Sequence, residues 1–196
     1  MLKKAYVIGN NVHKSLSPTI FNYWFKKYKV EGEYGFIEIE EKNFKKEIIK
    51  ILKNPEICGL NITIPFKEKI IPFLSKTDAH STLIGAVNHV TKDKPHFIGG
   101  NTDWVGFKNS IIWLKNAGLY KPRQTDKKQA VLIGYGGSAK AVIYALEKMN
   151  YDSVFIWNRS FDKIKNLKSF GALRIYPKKL ETKNFKIKNE ISLVIN

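Results

Sequence analysis

A glycine-rich turn between a predicted strand and a predicted helix is the sharpest chemical signal in the sequence. Residues 134–139 read GYGGSA and fit the spacing G-x-G-x-x-A. The first glycine permits a tight turn, the second lets backbone approach a pyrophosphate, and a small residue allows helix–strand packing. The glycine pattern alone is a weak signal, because glycine turns after strands are common. Here the pattern also lies between a predicted strand and a predicted helix, and this context favours a dinucleotide site. The predicted cofactor-binding residues are Gly134, Gly136, Gly137, Ser138 and Ala139.

The end of the next predicted strand discriminates between the two nicotinamide cofactors. An NAD site usually has Asp or Glu there, about 20 residues after the glycines, to hold the ribose 2′-hydroxyl. This chain has Asn158, Arg159 and Ser160 instead, with Lys163 one turn further on. An arginine would bind a 2′-phosphate, so the sequence favours NADP over NAD. The alternative is that Asn158 caps the next helix and Arg159 is a solvated surface residue.

Two serines lie at the start of the first predicted helix. Ser15 and Ser17 precede Pro18. Hydroxyls, together with the free N–H groups of a helix start, can bind a carboxylate. Taken alone, however, a Ser-x-Ser-Pro sequence is more simply an ordinary helix cap.

A lysine and an aspartate stand at positions suited to acid–base chemistry. Lys67 ends the sequence NITIPFK, a strand that we expect to run into a proline-led helix. In the first turn of such a helix the dipole disfavours a cation, and a lysine there can serve in proton transfer. Asp103 supplies a carboxylate at the start of another predicted helix, where its simpler role is that of an N-cap.

The elements that must position these residues have the pattern of an α/β protein. Short β-branched runs alternate with segments of helical period, which predicts parallel strands. The polar stretch 120–128 has no periodicity and predicts a boundary between an N-terminal domain over residues 1–119, with a connecting helix from about 103, and a second unit over 120–196. The predicted strands are 5–8, 34–39, 60–64, 87–90, 96–98, 130–133, 154–157, 172–176 and 192–195, and the predicted helices are 18–28, 42–52, 103–118 and 139–149.

Composition limits the class of protein. Of the 196 residues, 34 are Lys or Arg and 17 are Asp or Glu, a formal net charge of +17. Only three of the basic residues are arginine and the lysines are spread along the chain, which disfavours nucleic-acid binding. Cys58 is the single cysteine, so no internal disulfide can form, and no apolar run is long enough to span a membrane. These features predict a cytoplasmic protein.

Six short motifs occur in the order and approximate spacing of the shikimate dehydrogenase family, which the chain resembles over essentially its whole length. They are S-x-S-P at 15–18, N-x-T-x-P-F-K at 61–67, G-A-V-N at 85–88, N-T-D at 101–103, G-x-G-G-S at 134–138 and N-R-S at 158–160. The resemblance implies an N-terminal α/β substrate-binding domain followed by a Rossmann domain. It also implies reversible, NADPH-dependent reduction of 3-dehydroshikimate to shikimate, with no metal.

The resemblance further implies roles for single residues. Lys67 and Asp103 would form the acid–base pair, with Lys67 the proton donor to the developing alkoxide. The other motif residues would bind substrate: Ser15 and Ser17 its carboxylate, and Asn61, Thr63 and Asn88, together with Asp103, its ring hydroxyls.

Several departures from the family pattern qualify these expectations. Lys14 stands where a His commonly precedes the first motif serine, His89 stands where Thr is usual, and Trp104 places a bulky ring next to Asp103. The family's last two Rossmann strands and closing helices have no counterpart before Asn196. We therefore expect a fragment with a partial Rossmann domain, cut after a fourth strand that becomes a bare hydrophobic edge.

Other interpretations of the sequence remain open. One is a quinate/shikimate dehydrogenase that uses NAD, which Arg159 disfavours. Another is a catalytically incomplete, ligand-binding fragment of the family. The small-molecule substrate is the expected partner, and a homodimer is a further possibility.

Overall fold

The computed structural model describes residues 3–93, 95–121, 127–181 and 191–196. The chain divides into two compact units, residues 1–102 and 103–196. The helix that begins at Asp103 is grouped with the second unit because it packs against that unit's main helix. The boundary expected near residue 119 stays a prediction, and residues 122–126 of the polar stretch lie outside the described residues.

The first unit is a six-stranded sheet of order β2-β1-β3-β5-β6-β4. Its helices include two short 3-10 segments, at Glu41–Asn43 and Ile71–Phe73. The strands are β1 (Lys3–Gly9), β2 (Gly32–Glu38), β3 (Ile57–Ile62), β4 (Lys76–Thr77), β5 (His89–Asp93) and β6 (His96–Gly100), and the α-helices are α1 (Ser17–Lys27), α2 (Phe44–Lys53) and α3 (Ala79–Ile84).

Pairing in this sheet is mixed, which the expectation of parallel strands did not foresee. Strand β1 is parallel to both β2 and β3. Strand β5 is antiparallel to β3 and to β6. Since β5 ends at Asp93 and β6 begins at His96, the connection is far too short for a parallel crossover, so these two strands must form a hairpin.

The helix expected from Pro65 onwards does not form, so that prediction was wrong. Residues 67–70 are turns, and a short 3-10 helix follows at Ile71–Phe73. Pro72 gives the physical reason, because a proline inside a helix lacks the N–H donor and clashes with the preceding turn. Phe66 and Ile70 are fully buried and hold the segment against the sheet.

Side chains of β1 alternate between two apolar clusters on opposite faces of the sheet. Val7 joins Tyr34 and Val12 on the face that α1 covers, where Phe21 of that helix packs. Ile8 joins the larger cluster on the other face, with Ile48 of α2. The sheet is therefore buried on both sides at β1, as expected for a central strand between parallel neighbours.

The second unit is a five-stranded sheet of order β11-β7-β8-β10-β9. All pairs are parallel except that between β9 and β10. The four parallel strands have the spatial order 3-2-1-4 of the first four strands of a Rossmann sheet, which confirms the predicted fold class. The elements are α4 (Asp103–Asn116), β7 (Gln129–Ile133), α5 (Gly137–Lys148), β8 (Ser153–Asn158), a 3-10 helix at Phe161–Lys163, β9 (Ser169–Phe170), β10 (Leu173–Lys179) and β11 (Leu193–Ile195).

Strand β11 lies at one edge of this sheet. It pairs with β7 on one side, and no other described strand pairs with it. Leu193 and Ile195 pack against the unit's core, while Val194 is 48% exposed. Among the helices of the described ranges, none has the length and apolar character that crossing a bilayer requires.

Candidate functional site

The predicted substrate residues of the first unit gather around the carboxyl ends of β1 and β3. The chain passes from β1 to β2 on one side and to β3 on the other, so the order reverses between β1 and β3. Such a switch point is where open α/β sheets bind ligands. The two loops that leave these strands touch, since the amide of Asn10 donates to the carbonyl of Ile64 at 3.3 Å.

Ser15 and Ser17 are half-buried at the start of α1. The amide of Ser17, the first residue of the helix, donates to Ser15 Oγ at 3.2 Å, a local bond of the kind that serines make two residues along the chain. The cap position of α1 is Leu16, and no side chain caps the helix there, so the interpretation of the motif as an ordinary helix cap was wrong. The Ser15 hydroxyl can still bind a ligand, because an Oγ that accepts one hydrogen bond keeps its own proton to donate.

Glu38, at the end of β2, holds the loop that leads to these serines. Its Oε2 accepts from the amide of Val12 at 3.0 Å and lies 2.8 Å from Nδ1 of His13. The hydrogen bond from His13, with smaller contributions from the two backbone amides, lowers the pKa of the Glu38 carboxyl. The sequence did not single out this residue, because a carboxylate at a strand end has no local signature.

Asn61 and Thr63 lie at the end of β3. Asn61 is half-buried, and its Oδ1 accepts from the hydroxyl of Tyr34 at 2.6 Å. The amide of Thr63 donates to the carbonyl of Ile8 at 2.9 Å. Gly9 makes room for the Thr63 side chain, because a Cβ on Gly9 would lie 2.6 Å from Thr63 Cγ2.

Asn88 is tied to Thr102 by a pair of side-chain bonds. Asn88 Nδ2 donates to Thr102 Oγ1 at 3.1 Å, and the amide of Thr102 donates to Asn88 Oδ1 at 2.9 Å. The ring Nδ1 of His89 lies 3.0 Å from the same Oδ1. The neighbouring Asn101 is 3% exposed and donates to the carbonyl of Ala86 at 2.9 Å. Asn88 and the N-T-D motif are thus joined before any ligand binds.

The predicted acid–base residues belong to different units. Lys67 is 8% exposed, and its carbonyl accepts from the amide of Val87 at 2.7 Å. The sequence suggested that Asp103 is the N-cap of a helix, but it is the first residue of α4, one position after the cap. At this position the helix dipole favours a carboxylate. The ring of Trp104 packs edge-on against Tyr144 of α5, with centroids 5.2 Å apart, so that helix accommodates its bulk.

The glycine turn of the second unit fits a pyrophosphate. Gly134 has φ 97°, a conformation that favours glycine, and its amide donates to the carbonyl of Trp157 at 2.7 Å. Helix α5 begins at Gly137, and the first turn of a helix directs its amides outward. No described atom lies within 4 Å of a Cβ placed on Gly134 or Gly136, so ligand atoms can approach this backbone closely. Ser138 and Ala139 follow in that first turn.

The segment from Asn158 to Ser160 lies beside this turn, because β7 and β8 are parallel neighbours with Ile133 opposite Trp157. Asn158 Nδ2 donates to the carbonyl of Ser160 at 2.9 Å, and the 3-10 helix that follows has no side-chain cap. The alternative of Asn158 as a helix cap was therefore wrong. Arg159 and Lys163 are exposed and available to a phosphate. Within the described ranges, no group of three or more His, Cys, Asp or Glu side chains could hold a metal ion.

Comparison with known proteins identifies relatives of both units. Residues 7–90 match the family described as shikimate dehydrogenase substrate binding domain. Shikimate dehydrogenase (NADP(+)) of Caldicellulosiruptor saccharolyticus is 34% identical over 179 residues, which are 90% of this chain and 62% of that protein. Crystal structures of shikimate dehydrogenase from Thermotoga maritima, and of shikimate 5-dehydrogenase from Thermus thermophilus in complex with NADP(H) and shikimate, both match with a TM-score of 0.72.

The two structures are 33% and 29% identical in sequence. They cover 89% and 90% of this chain, and the chain covers 61% and 63% of them. The chain thus spans about 62% of the length of the Caldicellulosiruptor relative and a similar share of these structures.

Proposed function

We propose that this chain carries the substrate-binding unit and part of the NADP-binding unit of an enzyme that reversibly reduces 3-dehydroshikimate to shikimate. The match of residues 7–90 to the shikimate dehydrogenase substrate binding domain and the similarity to the Caldicellulosiruptor relative support this proposal. One observation carries the proposal. In each unit, polar motif residues gather at the carboxyl ends of parallel strands beside a switch point of strand order. The Caldicellulosiruptor relative is named for NADP(+), and the Thermus structure contains NADP(H) and shikimate.

Substrate binding falls to the first unit. The hydroxyls of Ser15 and Ser17, at the start of α1, bind the substrate carboxylate. The side chains of Asn61, Thr63 and Asn88 bind the ring hydroxyls, and the bonds that Tyr34 and Thr102 make to the two asparagines orient these amides in advance. Such preorganisation saves the entropy of ordering side chains when the ligand binds.

Lys67 and Asp103 are the proposed acid–base pair. When bound, NADPH supplies the hydride that reduces the substrate carbonyl. The Lys67 ammonium donates a proton to the oxygen that becomes negative in this step, and in the oxidative direction the neutral amine removes the hydroxyl proton. Asp103 accepts from the same hydroxyl and orients it. Burial of Lys67 to 8% exposure keeps water from competing for the proton.

The cofactor contacts belong to the second unit. The backbone of Gly134, Gly136 and Gly137 would hold the pyrophosphate at the start of α5. Arg159, with Lys163 further along, would bind the 2′-phosphate that distinguishes NADP from NAD. An exposed guanidinium suits this role because its planar donors match a phosphate in two places.

The experiment that tests the proposal measures NADPH oxidation by the 196-residue chain with 3-dehydroshikimate. The Lys67→Ala variant should lose roughly 100-fold to 10,000-fold in rate, the usual contribution of a general acid. Lys45→Ala, which removes an exposed lysine from α2, is the matched control and should keep wild-type activity. Equal activity of the Lys67 variant would contradict the assignment of the acid.

Two further results separate the alternatives. A faster reaction with NADH than with NADPH would favour the NAD-using quinate/shikimate dehydrogenase. A chain that binds shikimate saturably but shows no turnover would favour a ligand-binding unit that needs the remainder of the enzyme. A chain that binds neither shikimate nor NADPH would refute the proposed function for these residues.

A further inference from the structure

A tyrosine that no motif contains reaches the proposed substrate residues from two strands away. Tyr34 lies on β2, opposite Ala5 of β1, whereas Asn61 lies on β3, opposite Val7. The Tyr34 side chain crosses β1 and its hydroxyl donates to Asn61 Oδ1 at 2.6 Å. Val7 is 5% exposed and packs in the same cluster as Tyr34, so this bond is formed beside apolar side chains.

The tyrosine itself is held rigidly. Its ring stacks on Phe21 of α1, with centroids 4.3 Å apart and planes 7° from parallel. The side chain of Asn22, the next residue of α1, donates to the carbonyl of Tyr34 at 2.8 Å and accepts from its amide at 2.9 Å. Two adjacent residues of α1 therefore fix the backbone and the ring, and the hydroxyl has little freedom to leave Asn61.

The direction of the bond fixes which end of the Asn61 amide faces a ligand. Tyr34 is 3% exposed, and burial raises the pKa of its hydroxyl above the ordinary value, so the group remains a donor. If the amide were turned over, the hydroxyl proton would lose its acceptor in a buried position, which is costly. Oδ1 therefore points to Tyr34, and among the described residues no protein group accepts from Nδ2.

We infer that Tyr34 is a positioning residue that holds the Asn61 amide with Nδ2 towards the substrate, so that Asn61 acts as a hydrogen-bond donor to a ring hydroxyl oxygen. The inference rests on the proposed function for the identity of the ligand. It also links the two parts of the substrate site, because the helix that begins with the serine motif is the one that clamps Tyr34. Asn61 would then favour a substrate hydroxyl oxygen over an ammonium or another donor at this point.

The test uses three variants of the full chain. Tyr34→Phe removes only the hydroxyl, and Asn61→Asp keeps the acceptor for Tyr34 while replacing the Nδ2 donor by oxygen. Tyr151→Phe is the matched control, since it removes another buried tyrosine hydroxyl, 7% exposed, from the second unit. Nitrogen-15 NMR follows the side-chain amide signals of Asn61, assigned by their loss in Asn61→Asp, and titration gives the Kd for shikimate.

In the ligand-free chain, Tyr34→Phe should move or broaden the Asn61 amide signals, whereas Tyr151→Phe should not. The Kd for shikimate should rise roughly three- to tenfold in Tyr34→Phe, the effect of one lost hydrogen bond, and more in Asn61→Asp. Unchanged Asn61 signals in Tyr34→Phe would overturn the inference, as would an unchanged Kd for either variant. A wild-type chain that does not bind shikimate would refute the proposed function, and the ligand-free signals would still decide whether Tyr34 orients Asn61.

Discussion

Replacing Gly9 by alanine should destabilise the first unit by displacing Thr63. The added Cβ would lie 2.6 Å from Thr63 Cγ2 and 2.6 Å from Val12 Cγ1, and 3.2 Å from the carbonyl oxygen of Ile64. Carbon atoms prefer about 3.5–4.0 Å, so each methyl must retreat by roughly 1 Å. Val12 is 3% exposed and has no space to do so. Overpacking of this kind costs about 1–3 kcal/mol, and the reduced freedom of the unfolded chain offsets about 0.4–1 kcal/mol.

The midpoints of these two ranges leave an expected net loss of stability of about 1.3 kcal/mol. Native-state hydrogen exchange of the β1 and β3 amides measures it within the first unit, independently of how the second unit unfolds. Gly59→Ala on β3 is the control, because its Cβ would meet only Val90 O at 3.5 Å and Ala5 Cβ at 4.0 Å. The control should be neutral or more stable, since glycine weakens a strand interior by about 0.5–1 kcal/mol. Equal protection in the two variants would refute the close approach of Thr63 to Gly9.

Two further predictions concern the cofactor turn and the loop before α1. Gly136→Ala places a methyl in the open space before α5, so NADPH affinity measured by fluorescence titration should fall at least about tenfold while stability changes by about 0.5 kcal/mol. Gly106→Ala, which also adds a methyl in open space, is the control, and equal NADPH affinity of the two variants would count against the pyrophosphate site. Because the pKa of the Glu38 carboxyl is lowered from its ordinary value of 4.5, its hydrogen bonds to the loop persist above pH 4.5 and are lost as the pH falls through the pKa of the folded chain. The NMR chemical shift of the Val12 amide should therefore titrate with a midpoint below pH 4.5. In Glu38→Gln that transition should be absent, and a wild-type midpoint above 4.5 would contradict the hydrogen-bonding scheme.

Local sequence pattern predicted most of the described strands and long helices, because their apolar periods are strong. Helix α1 starts one residue before the predicted Pro18, and the strand-turn-helix of the glycine motif lies at Gln129–Ile133 and Gly137–Lys148. The helix predicted after Pro65 failed for a local reason, the proline at position 72, whereas the elements that were missed depend on tertiary context. The two-residue strand β4 and the six-residue helix α3 are too short to show a periodic pattern in the sequence. Strand β4 is formed by its pairing with a neighbouring strand, and α3 is stabilised by its caps.

The candidate site residues stand in motifs that the sequence displays, whereas the residues that support them do not. Ser15, Asn61 and Asn88 stand in recognisable spacings. Tyr34 and Glu38 lie on β2, where an alternating pattern predicts only a strand, and they reach the site through contacts 27 and 26 residues apart in the chain. Such long-range hydrogen bonds depend on strand order and register, which local sequence patterns do not encode.

The two units place their candidate sites by the same rule of sheet topology. In the first unit the order reverses beside β1, and in the second it reverses beside β7. At each reversal the flanking connections leave in opposite directions, so a crevice opens at the carboxyl ends of the strands. Gly9 ends the first of these strands and Gly134 follows the second. Gly9 accommodates the protein's own Thr63 side chain, whereas the space beside Gly134 is open. The missing side chain of the first glycine therefore allows close packing, and that of the second leaves the backbone accessible to a ligand.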